Sequence, residues 1–229
     1  MTGRYLLSSL NIIYKHLYPL SSQYPLSPPL KNHETHPMNT ETHPFTPFLP
    51  HDARVLMLGT FPPAPHRWCM PFYYPNFQND MWRIMGIIFY GDKEHFVVRD
   101  AKRFDQEKIE TFLRERGIAM YDTATRVVRT KNTASDKDLL IVEETDVRAM
   151  LLRLPQCRTV VTAGQLATTT LCRQFGVTEP KVGESVAADL PDGRTVNIFR
   201  MPSSSRAYPM RAEKKAEAYR KALAICLGE

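Results

Sequence analysis

The sequence predicts a three-layer α/β/α domain with a mainly parallel, four-stranded central sheet. Two observations support this prediction: short apolar stretches typical of buried strands recur beyond residue 50, and helical stretches separate them. Strands that alternate with helices form parallel sheets that are covered by helices on both faces. A chain of 229 residues is long enough for one such domain and a tail.

The tail is predicted at the N-terminus. Residues 1–50 are rich in proline, serine, histidine and threonine, and they show neither a helical nor a strand period. Such a segment offers no face that could bury a core, so we expect it to be disordered. Met38 is an alternative candidate for the start of translation. The folded domain is therefore predicted to span residues 51–229.

The first half of the domain is predicted to contain two strands and two helices. RVLMLG (54–59) is an unbroken apolar run typical of a buried strand, and GIAMYDT (117–123) is a second one. Between them, NDMWRIMGIIFY (79–90) is predicted to be a nearly all-apolar helix that is capped by its first or second residue. A charged helix is predicted near 105–116.

The second half is predicted to continue the alternation. A helix over 145–154 leads to RTVVTAG (158–164), the third strand, whose final glycine opens the helix QLATTTLCRQF (165–175). The hairpin-like LPDGRTVNIF (190–199) contains the fourth strand. RAEKKAEAYRKALAICL (211–227) closes the chain as a helix.

The charge distribution favours a polyanionic partner. The chain has a net charge of +6 and a pI near 9.2. Residues 200–221 contain seven arginines and lysines and two glutamates, a net charge of +5 in this segment. Such a concentration of positive charge is typical of a nucleic-acid-binding surface.

Several classes of protein are disfavoured by the sequence. The four cysteines form no CxxC pair, which argues against a disulfide framework and against a zinc or iron–sulfur site. No apolar run reaches the roughly 18 residues of a membrane helix, and the opening YLLSSLNIIY is too polar for a good secretory signal. We expect a cytoplasmic monomer without a metal or cofactor.

The functional site is expected at the carboxyl ends of the strands, where open parallel sheets bind ligands. The loop after the first strand, TFPPAPHRWCMPFYYPNFQ (60–78), is rich in aromatic rings, which can stack on nucleobases for about 1–3 kcal/mol each. The same rings could instead fold inward as the core of a lid. Asn76 and Asn79 offer amides to a base edge or a water, although Asn79 could simply cap a helix. Asp122 could orient a water or cap a turn.

The loop after the last strand, MPSSSRAYP (201–209), is interpreted as a phosphate-binding loop. Hydroxyls and backbone N–H groups before a helix bind phosphate oxygens well, and the basic helix behind adds positive charge. An ordinary polar loop beside a solvated basic helix is the alternative. The loop lacks the GxSxG nucleophile elbow of serine hydrolases. The predicted DNA-binding residues are Ser203, Ser204, Ser205, Arg206, Lys214 and Lys215.

In combination, GTFPP, YYPNFQNDMWRIM, GIAMYDT and MPSSSRAYP resemble the uracil-DNA glycosylase superfamily over about residues 50–229. MPSSS is similar to a motif of the thymine/mismatch-specific uracil-DNA glycosylases, but Phe61 stands where their first motif has a catalytic asparagine. The G-x-F-P motif and the asparagines after the aromatic pair resemble the hypoxanthine-DNA glycosylase branch more closely.

The resemblance implies a site. Its base pocket comprises Gly59, Phe61, Tyr73 and Tyr74, with Tyr74 as the stacking ring. The catalytic groups are Asn79, Asn76 and Asp122, and Arg206 lies near the residue that fills the gap left by an extruded base.

The resemblance also implies a reaction. A deaminated or mismatched base, uracil or hypoxanthine, is flipped out of duplex DNA, and its N-glycosidic bond is hydrolysed without a lysine Schiff base, which initiates base excision repair. Two alternatives stay open. The loss of the usual asparagine at Phe61 favours a non-catalytic DNA-binding module, and a hydrolase of free nucleosides or nucleotides would gain little from the basic segment.

Overall fold

Five strands form the central sheet of residues 39–228, which are the residues that the computed structural model describes. The strands of this part of the chain are β1 (Thr40–Thr42), β2 (Val55–Gly59), β3 (Val97–Val98), β4 (Arg103–Phe104), β5 (Ile118–Asp122), β6 (Ala124–Arg129), β7 (Leu139–Glu144), β8 (Thr159–Ala163), β9 (Ser185–Asp189) and β10 (Thr195–Met201). The helices are α1 (Met81–Tyr90), α2 (Gln106–Arg116), α3 (Val147–Leu152), α4 (Gln165–Phe175) and α5 (Ala212–Leu227).

The central sheet has the strand order β5-β2-β8-β10-β9. β2 pairs in parallel with β5 and β8, and β8 pairs in parallel with β10. Every residue of β2, β5 and β8 is buried, as expected of parallel strands that are covered on both faces. The predicted α/β fold with a mainly parallel sheet is confirmed.

The predicted number of four strands is one too low. The fifth strand, β9, forms an antiparallel hairpin with β10 at the edge of the sheet. Its sequence, SVAAD, is half-exposed and has little apolar character. An edge strand of this kind needs no continuous apolar face, so it leaves only a weak pattern in the sequence.

The helices pack on the sheet through apolar faces. α1 and α5 pack against each other, α4 packs against β8 and β10, and α2 packs against β5. Seven of the ten residues of α1 are buried, in agreement with its nearly all-apolar sequence. None of the helices within residues 39–228 is both long enough and apolar enough to span a membrane.

A second, antiparallel sheet has the strand order β1-β6-β7. β6 follows β5 almost directly, in a segment for which no strand is predicted. A small apolar cluster of Ala124, Val127 and Leu139 supports it, with Phe61 packed against the cluster. This sheet extends beyond the carboxyl end of the central sheet and provides one wall above it.

The predicted boundary between tail and domain at residue 50 is wrong for residues 39–50. β1 pairs with β6, and the backbone of Phe48 exchanges two hydrogen bonds with Met120, of 3.1 and 2.9 Å. Phe45 and Phe48 pack against the main core. A strand of three residues is too short to show the alternation of a β-strand, and two isolated rings give no helical or strand periodicity. Residues 1–38 of the predicted extension lie outside the described residues.

We therefore expect a chain of residues 51–229 to be much less stable than a chain of residues 38–229. The longer chain keeps the pairing of β1 with β6 and the partly buried rings of Phe45 and Phe48, and apolar surface removed from the core costs about 25 cal/mol per Å². Urea unfolding of both chains, beside the full chain, measures the difference. Equal midpoints for the two truncated chains would show that residues 39–50 contribute nothing to folding.

Candidate active site

A groove lies at the carboxyl end of the central sheet. There Gly59 at the end of β2 pairs with Asp122 at the end of β5, and Ala163 of β8 pairs with Met201 of β10. The loops that follow these strands enclose about 1020 Å³. Of the predicted site residues, those that line the groove are Gly59, Phe61, Tyr73, Tyr74, Asn76, Asn79, Asp122, Ser203, Ser204, Ser205 and Arg206.

Asp122 is paired with a histidine from the N-terminal segment. Nε2 of His43 donates to Oδ2 of Asp122 at 2.9 Å, and both side chains are less than one-tenth exposed. Nδ1 of His43 lies 3.2 Å from the N–H of Phe45 and 3.0 Å from its carbonyl oxygen. The ring can therefore accept from the first or donate to the second, so it has a backbone partner whether it is neutral or charged.

Gly59 forms the floor of the groove beneath the Asp122 carboxylate. A Cβ at this position would lie 2.5 Å from Oδ1 of Asp122 and 3.5 Å from the hydroxyl of Tyr74. Any larger residue would displace the carboxylate, which explains the glycine. Asp122 and Tyr74 thus converge on one point at the base of the groove.

Tyr74 is held in an unusual state. Its φ is 49°, in the left-handed region that non-glycine residues seldom adopt. Its hydroxyl is buried and has no hydrogen-bond partner among the described residues. Burial, with the nearby Tyr219, Asp122 and Asp136, raises the pKa of this phenol well above its usual value, so it stays a neutral donor. A strained residue with an unpaired buried hydroxyl is typical of a ligand site.

Most rings of the aromatic loop fold inward. Phe72 and Tyr73 are buried, and the Tyr73 hydroxyl donates to the carbonyl of Thr46 at 2.8 Å. The ring of Phe61 packs edge-on against His43, with 5.3 Å between centroids. The alternative in which these rings form a core is correct for Phe72 and Tyr73. Tyr73 also lines the groove, and its contact with a base stays a prediction.

The two asparagines each use one amide atom locally. Oδ1 of Asn79 accepts from the N–H of Met81 at 2.9 Å, and Oδ1 of Asn76 accepts from the N–H of Gln78 at 2.9 Å. Asp80, and not Asn79, is the N-cap residue of α1, and its side chain makes no capping bond. Nδ2 of Asn79 donates no hydrogen bond to another described residue, so it is the atom that a ligand could contact.

A second carboxylate in the groove, Asp136, was not predicted. It lies in the connection between β6 and β7, in a short turn, and Oγ1 of Thr60 donates to its Oδ2 at 3.0 Å. Burial, and to a lesser extent Asp122, raises the pKa of Asp136, while the bond from Thr60 and the charge of Arg129 oppose the rise.

The loop of residues 201–209 is attached to the start of α1 by a cluster of ion pairs. Oδ1 of Asp80 accepts from Nε of Arg206 at 2.9 Å, and its Oδ2 lies 3.3 Å from Nζ of Lys215. The N–H of Asp80 also donates to the carbonyl of Ser204 at 2.9 Å. Arg206 is about half exposed (48%) and stays reachable from the groove.

The prediction that Lys215 contacts DNA is wrong. Its side chain is completely buried, and its Nζ donates to the carbonyl of Ser205 at 2.8 Å and pairs with Asp80. Lys214 is exposed and pairs with Glu217 on the same helix. Helical periodicity places adjacent residues on different faces, so only one of the two lysines can face solvent here. Contacts of Lys214, Arg206 and the serines with DNA stay a prediction.

We expect Lys215→Met to lower the free energy of unfolding by about 3–5 kcal/mol, because it leaves the buried Asp80 with one cation fewer. Lys214→Ala, the neighbouring control, should change it by less than about 0.5 kcal/mol. Denaturant unfolding of both variants measures the contrast. Similar losses for the two variants would contradict the buried ion cluster.

The sequence analysis missed His43 and Asp136. It also missed that Asp80 forms ion pairs with Arg206 and Lys215. His43 lies in the segment that the sequence predicts to be disordered, and Asp136 in the segment after the second strand that it treats as loop. Asp80 was recognisable only as a possible helix cap, and no local pattern marks His43 or Asp136. Within residues 39–228, no group of three or more His, Cys, Asp or Glu side chains could hold a metal ion.

The fold resembles that of a solved structure. The chain matches the solution NMR structure of a "putative uracil DNA glycosylase" from Methanosarcina acetivorans with a TM-score of 0.54 and 21% sequence identity. The match covers 80% of this chain and 98% of that one. No protein-family model and no curated protein matches the sequence. The likeness shows that the two chains share a fold, in agreement with the fold that the sequence motifs imply.

Proposed function

We propose that this protein is a monofunctional DNA glycosylase, which hydrolyses the N-glycosidic bond of a deaminated or mismatched base that is flipped out of duplex DNA. Uracil and hypoxanthine are the proposed bases. The main support is the convergence of the Asp122–His43 pair and the unpartnered Tyr74 hydroxyl on the floor of one groove. The shared fold and the four sequence motifs also favour this reaction over others.

The groove offers a group for each part of the hydrolysis. The base would enter over Gly59, against Tyr74, with Nδ2 of Asn79 donating to its polar edge. As the bond between C1′ and the base nitrogen breaks, both electrons leave with the base, and the sugar gains positive charge. The Asp122 carboxylate is suited to stabilise this charge and to take a proton from the water that adds to C1′. His43 would hold the Asp122 carboxylate in place through the hydrogen bond from Nε2.

DNA binding is proposed for the rim of the groove. Arg206 and the hydroxyls of Ser203 and Ser205 border the opening, and Lys214 lies exposed on α5 beyond it. Asp80 is paired with both Arg206 and Lys215. It would therefore keep one cationic partner if Arg206 moved into the gap left by an extruded base.

Single-turnover excision assays test the proposal against its alternatives. The full chain is incubated with duplexes that contain uracil, hypoxanthine or thymine opposite a mismatched base, with undamaged duplex, and with free deoxyuridine and deoxyinosine. Release of a base from duplex DNA alone supports the proposal. Release from free nucleosides only would favour a nucleoside hydrolase. Salt-sensitive duplex binding with no release of any base would favour a non-catalytic DNA-binding module.

A further inference from the structure

The carboxyl group of Asp136 has no part in the hydrolysis described so far, although it lines the same groove as Asp122. The donated bond from Thr60 holds it beside the end of β2. Its Oδ2 also lies 4.0 Å from the point that a Cβ of Gly164 would occupy, beside the end of β8. Gly164 has a φ of 105°, which only glycine adopts readily, so this wall stays free of a side chain.

Burial, and to a lesser extent the charge of Asp122, favours the neutral form of Asp136. Asp122 lines the same groove and its negative charge acts on Asp136, and the neutral phenol of Tyr74 lies nearby. Arg129 is the opposing cation, but its guanidinium is bonded to both carboxylate oxygens of Glu41 and to the carbonyl of Pro62. On its own loop, Asp138 is bonded to Thr133 and paired with Lys131, and Lys137 is exposed. Burial and Asp122 therefore raise its pKa, as stated above.

A base that departed as an anion would enter a groove that already holds the negative charge of Asp122. A neutral carboxylic acid at the wall removes this difficulty, because it can transfer its proton to the base. Two carboxyl groups in one site, one ionised and one protonated, are the arrangement by which glycoside hydrolysis is catalysed in many enzymes. The buried, unpartnered hydroxyl of Tyr74 is a separate sign that this part of the groove receives a polar ligand.

We infer that Asp136 is a catalytic acid, which protonates the departing base as its bond to C1′ breaks. The inference rests on the proposed glycosylase function. The electron pair of the bond goes to the base, the proton of Asp136 goes to a nitrogen or carbonyl oxygen of the base, and water adds to C1′ and gives its proton to Asp122. The products are the neutral base and an abasic site, and a proton from Asp122, carried by solvent, restores Asp136.

Asp136→Asn tests this inference, since the amide keeps the shape of the side chain and an acceptor for Thr60. Single-turnover excision is followed between about pH 5 and pH 9 on uracil, hypoxanthine and 5-fluorouracil duplexes. 5-Fluorouracil is the less basic leaving group and needs a proton least. Asp138→Asn, on the same turn, is the matched control, and DNA affinity and thermal unfolding are measured for both variants.

We expect Asp136→Asn to lower excision of uracil or hypoxanthine by about 10²-fold or more and to lower excision of 5-fluorouracil much less. The wild-type rate should fall as pH rises and Asp136 loses its proton, and the variant should lack this fall. Asp138→Asn should behave as the wild type.

An equal loss on all three bases, or an unchanged rate, would overturn the role of Asp136. If the variant does not fold, a wild-type rate that fails to decline with rising pH overturns it instead. Absence of any excision by the wild-type protein would overturn the proposed function itself, which is a separate result.

Discussion

Asp122→Asn should lower single-turnover excision by about 10²–10⁴-fold, the usual contribution of a general base. The amide has the size of the carboxylate, so it still fits above Gly59 and still accepts from Nε2 of His43. It cannot take a proton from water, and it carries no charge to stabilise the positive sugar. Duplex affinity should be unchanged or slightly higher, because a negative charge near the phosphates is removed.

His43→Gln is the matched variant for this experiment. Glutamine can still donate to Asp122 and the carboxylate itself stays, so we expect a smaller loss of rate than that for Asp122→Asn. Thermal unfolding of both variants controls for the loss of a buried contact. An Asp122→Asn protein that is stable and excises at the wild-type rate would transfer the role of general base to another group.

Asn79→Ala is expected to lower single-turnover excision by about 10²–10³-fold, the effect of removing one donor to charge that develops in the transition state. The side chain also supports the turn before α1, since its Oδ1 accepts from the N–H of Met81 at 2.9 Å. Loss of such a bond should reduce the free energy of unfolding by about 0.5–2 kcal/mol. Rate and stability are therefore both expected to fall in this variant.

Asn79→Asp separates the two roles. Aspartate keeps the acceptor for Met81 and favours the N-terminus of a helix, but it has no Nδ2 donor. We expect it to unfold like the wild type and to excise as poorly as Asn79→Ala. A fully active Asn79→Asp protein would show that the side chain only shapes the turn, and Asn76 would become the next candidate for the donor.

The strands of the parallel sheet could be predicted within a residue or two, because strands buried on both faces are continuous apolar runs. Continuous apolar runs predict β2, β5 and β8, and helical patterns predict α1, α2 and α4. β6, β7 and β9 were missed as strands because they are partly exposed, and β1 was missed because it is only three residues long. Their pairing depends on neighbours in space and leaves little trace in local sequence.

The sequence by itself determined the α/β class and the edge of the sheet at which the groove forms, and it predicted several residues that line this groove, among them Gly59, Tyr74, Asn79 and Asp122. Gly59 and Asp122 end two recognisable strands, and Tyr74 and Asn79 lie in the segment between β2 and α1. The base-pocket roles of Gly59 and Tyr74 come from the family resemblance. Only the tertiary structure decided their partners. His43 reaches Asp122 across 79 residues of chain, and Lys215 is buried against Asp80 across 135. Hydrogen bonds and ion pairs over such separations depend on how the elements pack, and a side chain's charge and hydropathy are the same in the sequence whether it ends in solvent or in the core.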